Sequence, residues 1–499
     1  MPTTSLPKKH KNSRQIERQG VGRRQWTWIV AAAWGCMSGA FALETPAAPP
    51  ELPQAVSTSL GGATERVKQA RLEGDALAGD ITFLSPLLQD WLQHQPSVRD
   101  IPALTQQLTD VLRQHGYSIA QVIVTPADLE EARRTGELRL RYYLGRIGLI
   151  SVKNSSAVSD AMLQARMSRA LCGATILSDH CVLEAARLER ATALIGGLPG
   201  VSGIEVHLSA DGVGAGETHV MLDVQGPAHR VSGRIDMDNE GMPATGVGRA
   251  GIGIQTSSLL VSADALAANF NVSSKGNTTG LLDWNLPLGN SDWRLDTQYL
   301  RSQFSVPASA SANVSGTADT VTAGLVYPIV LNFKQVINLQ IDAGYTLSRA
   351  EIGSGSPFQN RTIYTGDVQL NGNNGLQAVS QGQFWYLWNG KLTYGHVSDS
   401  ATGASAADAV GPGMLNDFLR MNASLNGRIT PASLPLVIGY NLRAQASSRN
   451  LDPSQQLGIG GPGGVRAYPL DEGGFDEGGI ATFDAHHDFH LGSGFQLTC

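Results

Sequence analysis

From about Ala228 onward the chain drops any 3.6-residue apolar period and takes up a period of two. In Ile337–Tyr345, Ile337, Leu339, Ile341, Ala343 and Tyr345 fall on one face and Asn338, Gln340 and Asp342 on the other. Leu436, Ile438, Tyr440, Leu442 and Ala444 stand opposite Asn441 and Arg443. Leu419, Met421, Ala423 and Leu425 oppose Arg420, Asn422, Ser424 and Asn426, and Trp293, Leu295 and Tyr299 oppose Asp292, Arg294, Asp296 and Gln298. Side chains of a strand alternate between its two faces, so each stretch has one apolar and one wet side. A soluble β-sandwich also alternates, but its strands are shorter and its inner faces carry more large aliphatics than these Gly- and Ala-rich ones. The pattern is that of an antiparallel transmembrane β-barrel, apolar toward lipid and polar toward the lumen. About 12–13 strands are expected between Arg230 and Cys499, with short turns such as Pro287–Asn290 alternating with longer loops such as Ser398–Gly413.

A barrel hides its apolar residues in alternation, which agrees with a mean hydropathy of −0.10. After residue 42 no apolar run reaches the roughly 18 residues a membrane helix needs. Residues 1–42 read as an export signal. Lys8, Lys9, Lys11, Arg14, Arg18, Arg23 and Arg24 precede an apolar run, Trp26–Ala42, that ends in Ala40-Phe41-Ala42, an A-x-A cleavage site. The run is marginal for a span of about 20 residues, which disfavours a membrane anchor. Arg23-Arg24 hints at a twin-arginine signal, but a barrel crosses the inner membrane unfolded. Removing this segment, with its seven bases and single acid Glu17, turns the 37 basic and 43 acidic residues of the chain into 30 and 42, a net charge of −12. Such a balance argues against nucleic acid as a partner.

Residues 43–79 begin with the proline-rich ETPAAPPELP, an extended linker, and Thr64–Leu72 has the pattern of a short helix capped by Thr64. Two mixed α/β units follow, at 80–145 and 146–226. The first carries helix Ile101–Gln114, with Leu104, Leu108, Val111 and Leu112 on one face, then strands Ile119–Val124 and Gly136–Leu144. The second reads as strand Ile147–Val152, helices Ser159–Leu171 and Leu183–Leu194, and strands Gly203–Leu208 and Thr218–Val224. Cys172 and Cys181 have the spacing to close a small loop by a disulfide in an oxidising compartment. A metal pair with His180 is the rival, but no second cluster supports it.

The segment Gly460–Glu472, GGPGGVRAYPLDE, lies within a long loop, Asn450–Gly479. Its glycines, Gly460, Gly461, Gly463 and Gly464, lack the Gly-Lys-Ser/Thr ending and the βαβ setting of a phosphate cradle. The Val465-Arg466-Ala467-Tyr468 that follows resembles the conserved loop tip of two-partner secretion transporters, the TpsB or ShlB/FhaC/HecB family. GYSIAQVIVTP and LPGVSGIEVHLSADGVGAGETHVMLDV likewise resemble the POTRA modules that precede such barrels. The resemblance covers about residues 80–499.

The resemblance implies two periplasmic POTRA modules, 80–145 and 146–226, ahead of an outer-membrane barrel, 227–499, with an N-terminal helix that often plugs the lumen. It implies export of a large haemolysin- or adhesin-type exoprotein whose N-terminal secretion domain the POTRA modules bind, at strand edges near Ile119–Val124 and Gly203–Leu208. The setting implied is the outer membrane of a Gram-negative bacterium, with a bilayer and lipopolysaccharide around the barrel and a barrel-assembly machinery to insert it. In the family the loop folds back into the lumen and its arginine, here Arg466, pairs with an acid in an F-x-D strand; Ala467 replaces the commoner glycine. The family barrel has about 16 strands. Cys499 precedes any F-x-D and the terminal aromatic residue, so a member shortened at its C-terminus is expected. Asp484, His486, Asp488 and His490 would share one face of a strand, which reads as a solvated lumen face rather than a metal site. No nucleophile–base arrangement appears, and neither a catalytic role nor a cofactor or metal is expected. The alternatives are an insertase of the same superfamily, a passive porin or adhesin, and a nonfunctional remnant.

Overall fold

The computed structural model describes residues 66–74, 81–173, 181–214, 216–309, 312–353, 356–375, 384–431, 436–461, 463–468, 473–490 and 496–498. The export signal and the proline-rich stretch lie outside the described residues, as does His180.

The first unit runs β1 (Gln69–Gly74), α1 (Ser85–Gln93), α2 (Ile101–Gln114), β2 (Gln121–Ile123), α3 (Pro126–Thr135) and β3 (Glu137–Tyr143). Helix α2 buries Ile101, Leu104, Leu108 and Leu112, the i, i+3, i+4 stripe its sequence displays. That stripe packs on Leu138, Leu140 and Leu144. Residues 69–72, expected to be helical, form a strand instead. β1 pairs in parallel with β3, setting Ala70 beside Leu138 and Leu72 beside Leu140. Helix propensity is a weak prior, and a free sheet edge beside an apolar core overrides it. The first unit therefore takes in residues assigned above to the linker.

The second unit runs β4 (Arg146–Asn154), α4 (Asp160–Cys172), α5 (Ala185–Gly196), β5 (Gly203–Ser209) and β6 (Glu217–Gln225). Sheet orders are β1-β3-β2 and β4-β6-β5. In each, the first strand runs parallel to the last and the middle strand lies antiparallel at the far edge. One topology is thus built twice. Cys172 at the end of α4 is joined to the buried Cys181 by a disulfide, and Val182 bridges to Arg146 on β4, so α4 is tied to its sheet.

The remaining strands form one antiparallel sheet of twelve, in the order β7 (Val231–Asp238), β8 (Arg249–Ser257), β9 (Ala265–Ser273), β10 (Thr278–Pro287), β11 (Arg294–Ser309), β12 (Ala312–Leu331), β13 (Val336–Ile352), β14 (Ser356–Asn373), β15 (Phe384–Asp399), β16 (Asn416–Ile429), β17 (Val437–Ser447) and β20 (Gly478–His486). No helix among the described residues is long and apolar enough to cross a membrane. Strands of 16 to 20 residues from β11 to β14 exceed the roughly 9–11 a tilted membrane strand needs. The apolar face is bare, with Ile235, Ile254, Phe270, Leu282, Val321, Tyr345, Val368, Leu392, Met421 and Phe483 all exposed. Among the described residues β7 pairs only with β8 and β20 only with β17. A separate hairpin, β21 (Asp488–His490) with β22 (Gln496–Thr498), follows.

The second unit is docked on three turns of this sheet. In the β8–β9 turn Ala263 joins the core of the second unit, and the Ser258 hydroxyl donates to the Pro199 carbonyl at 2.6 Å. Gly200 has φ of +94°, and a Cβ there would collide with that hydroxyl. In the β10–β11 turn the Gly289 carbonyl accepts from Arg166 at 2.8 Å, and Asp292 pairs with Arg190 at 2.8 Å. Arg190 also donates to the Pro328 carbonyl, and the Phe333 amide of the β12–β13 turn donates to Glu189. Burial lowers the Arg166 guanidinium from its usual value, with Asp292 acting against this. Replacing Arg190 with Ala should loosen the docking by about 1–3 kcal/mol. Hydrogen exchange should then speed up in turns 288–293 and 329–335; unchanged exchange there would count against the clamp.

Within the first unit, Asp128 is held below the ordinary carboxylate range, first by the Thr125 hydroxyl at 2.5 Å and then by Arg141 at 3.1 Å, against burial. A lowered folded value means the stabilisation is complete above the unfolded carboxylate pKa, roughly 3.9, and is lost as pH falls through the folded value. Asp128→Asn should flatten the acid-side rise in amide exchange of α3 and β3 below that pH.

Candidate functional site

The polar face of the sheet is continuous. One lateral row crosses it through Asn285, Asp296, Gly324, Asp342, Asp367, Thr393, Arg420 and Ser447, each directly opposite the next. Gly324 is required in this row, because a Cβ there would occupy the place of the Asp342 carboxylate. Asp367 accepts from Thr393 at 2.5 Å and pairs with Lys391 at 3.3 Å, while Gln340 donates to Asp342 at 2.9 Å.

The segment 448–477 is bonded to this polar face and divides into root, neck and tip. At the root, Leu451 is buried with Ile363, Val397, Leu415 and Phe418. Arg361 on β14 pairs with Asp399 at 3.3 Å and with Asp452 of the root at 2.6 Å. Both carboxylates are nearly inaccessible, at 4% and 7% exposure. Asp476, on the returning limb, accepts from the Leu451 amide and from Gln456, each at 2.9 Å, which ties the two limbs together.

The neck is a two-residue ladder of β18 (Leu457–Gly458) with β19 (Gly474–Phe475). The tip then closes on itself: the Val465 amide donates to the Ile459 carbonyl at 2.8 Å, Gly461 to Tyr468 at 2.9 Å, Gly464 to Gly461 at 3.0 Å and Tyr468 to Val465 at 3.0 Å. Gly461 and Gly464 are buried inside this knot, Gly460 is half-buried and Gly463 is exposed. Gly461 adopts φ of +83° and Gly464 sits where a Cβ would strike the Ile459 carbonyl, so the glycine density follows from the tight backbone path.

The tip presents Val465, Arg466, Ala467 and Tyr468 outward, all exposed. Among the described residues no carboxylate pairs with Arg466. The wall contacts come from residues that sequence reading did not single out. Arg420 donates to the Gln455 carbonyl at 2.8 Å, Arg443 donates to the Gly463 carbonyl, and Gln445 donates to the carbonyls of Phe475 and Asp476, each at 3.2 Å. Their only sequence signal was membership of the polar alternation.

The acid–histidine stretch does not form one strand. β20 ends at His486 and β21 starts at Asp488, paired with β22 rather than with the sheet. The common face expected for Asp484, His486, Asp488 and His490 is therefore broken at His487, because the chain leaves the ladder there.

Arg361→Ala would leave two buried carboxylates unpaired. A loss of roughly 3 kcal/mol is expected, visible as a lower unfolding temperature in detergent and faster proteolysis of 448–477.

A family model described as haemolysin secretion/activation protein ShlB/FhaC/HecB matches residues 216–480, more than half of the chain, and one described as POTRA domain, ShlB-type, matches residues 66–141. The heme/hemopexin transporter protein HuxB of Haemophilus influenzae is similar, at 23% identity over 416 residues that make up 81% of this chain and 69% of that protein. Among solved structures, CdiB from Escherichia coli superposes with a TM-score of 0.67 at 18% identity, covering 88% of this chain and 79% of its own. CdiB from Acinetobacter baumannii gives 0.59 at 14%, covering 90% and 81%. At these identities the structural likeness is one of fold.

Proposed function

The chain belongs to the haemolysin secretion/activation protein ShlB/FhaC/HecB family, the two-partner secretion transporters of the outer membrane, and we propose that it exports one large exoprotein of haemolysin or adhesin type. The observation that carries this reading is the loop seated on the polar face of the sheet, with an exposed Arg466 at its tip, downstream of two units of the same topology. The exoprotein works with the POTRA region. The second unit acts as a second POTRA module, and the two modules take up the exoprotein's N-terminal secretion domain in the periplasm of a Gram-negative bacterium.

Strand addition is the recognition mode the sheet edges favour. β5 pairs only with β6, which leaves one edge of backbone donors and acceptors open among the described residues, whereas the Val122 amide of β2 is already taken by the Thr109 hydroxyl at 3.0 Å. β5, with seven residues against three, is the longer template. The docked turns carry that engagement to the barrel. The exoprotein then passes unfolded along the polar face as the loop moves aside, and folds outside, which needs no nucleotide. Insertion relies on the barrel-assembly machinery, and lipopolysaccharide surrounds the exposed apolar face.

Export is tested by co-expression with an exoprotein bearing such a secretion domain. Arg466→Ala, which removes the exposed cation at the loop tip, should cut secretion about tenfold or more, while leaving barrel insertion, judged by heat-modifiable electrophoretic mobility, intact. Undiminished secretion by this variant would remove Arg466 from the mechanism. No secretion by the unaltered chain would remove the export reading.

A further inference from the structure

The loop is held by its backbone, from two arginines on the strand wall. Arg443 on β17 donates to the Gly463 carbonyl and Arg420 on β16 to the Gln455 carbonyl at 2.8 Å. Both belong to the polar face, where Arg443 stands opposite Ser424 and Arg420 opposite Ser447. They are thus four residues apart along the strand direction, roughly 13 Å, and meet the loop at two depths. Neither has a carboxylate within ion-pair distance among the described residues, and the Nε of each is buried without a hydrogen-bond partner there. A guanidinium so placed has only donors to offer, and carbonyl dipoles are what it can engage.

The three parts of the loop differ in how they are attached. The root is locked by the Leu451 cluster and by the Arg361–Asp399–Asp452 group. The tip is internally bonded. Among the described residues, the bond from Arg443 to Gly463 is the single hydrogen bond between residues 459–468 and the wall.

We propose that Arg443 is a positioning residue that seats the loop tip in the lumen, with Arg420 seating the limb below the neck, so that opening is controlled from β16 and β17 as well as by Arg466. The proposal rests on the reading above in one respect, that displacement of the loop opens the lumen. The wall arginine recognises a carbonyl rather than a side chain, so it tolerates any tip sequence that keeps this backbone path. Release needs one charge-assisted bond to break, after which the tip swings on a root that stays in place.

The test is single-channel recording of the full chain in planar lipid bilayers. Arg443→Ala should raise the open fraction about tenfold, the effect of losing one such bond. Two further variants keep the length of the side chain and differ in its donor: Arg443→Lys retains a cationic donor at the same wall position, and Arg443→Met has none. Arg443→Lys should bring the open fraction back toward that of the unaltered chain, whereas Arg443→Met should gate like Arg443→Ala. Equal open fractions in the Lys and Met variants would overturn the proposal, as would an Arg443→Ala channel that gates like the unaltered one. If Arg443→Ala fails to insert, the Lys and Met variants decide alone. Secretion of the exoprotein is scored separately, so a chain that gates as described but exports nothing counts against the export reading and leaves the clamp standing.

Discussion

In hydrocarbon no water is present to satisfy an amide or a carbonyl, so every backbone polar group must find its partner in a neighbouring strand. The rest of this structure depends on that ladder. It runs antiparallel through twelve strands, and its register keeps the polar residues on one face from Asp236 on β7 to Thr482 on β20. A slip of one residue anywhere would turn a strand's lipid-facing set into the lumen. Irregularities are confined to positions near strand ends, such as Pro328, which lies beside a register shift in β12 where its missing amide hydrogen does little harm. The carbonyl of that same proline is one of the points where the second unit docks.

Once the register is set, the wet face becomes a surface with its own chemistry. Asp296, Asp342 and Asp367 lie in one row with Arg420, and Thr393 and Lys391 lie between or beside them. The row needs a glycine at 324 for the Asp342 side chain to lie flat. Against such a face a polar loop can be seated without stranding its carbonyls, since the wall offers arginine and glutamine donors at the depths the loop reaches. Rigidity is uneven along the loop. Apolar packing and a buried ion group fix its root, whereas its tip is fixed mainly to itself.

Much of this was legible along the chain, because period two is a property of adjacent residues. The faces of Ile337–Tyr345 and Leu419–Asn426 stand in the structure as the alternation implies, and helix Ile101–Gln114 has the bounds its apolar stripe suggests. The errors have a common origin. Residues 69–72 look helical by composition but complete a sheet whose other strand lies far along the chain. The stretch 484–490 alternates as one strand, yet the chain leaves the ladder at His487. Helix α3 differs from these: its signal is local, the cap-and-start pair Thr125-Pro126 with the Thr125 hydroxyl accepting from the Asp128 amide, but its polar sequence offers little apolar periodicity to read.

The amino-acid order by itself determined which residues face lipid and which face water, where the glycine-dense loop lies, and that mixed α/β units precede the strands. Each of these follows from spacing over a few residues. Only the tertiary structure decided that Arg361 joins Asp399 to Asp452, that Arg443 meets the Gly463 carbonyl, and that Glu189 and Arg190 hold two turns of the sheet. Those contacts depend on which strands are neighbours and how far a loop descends along them. Two of them end on backbone groups, the Gly463 carbonyl and the Phe333 amide, which recur all along the chain and therefore leave no mark in a sequence.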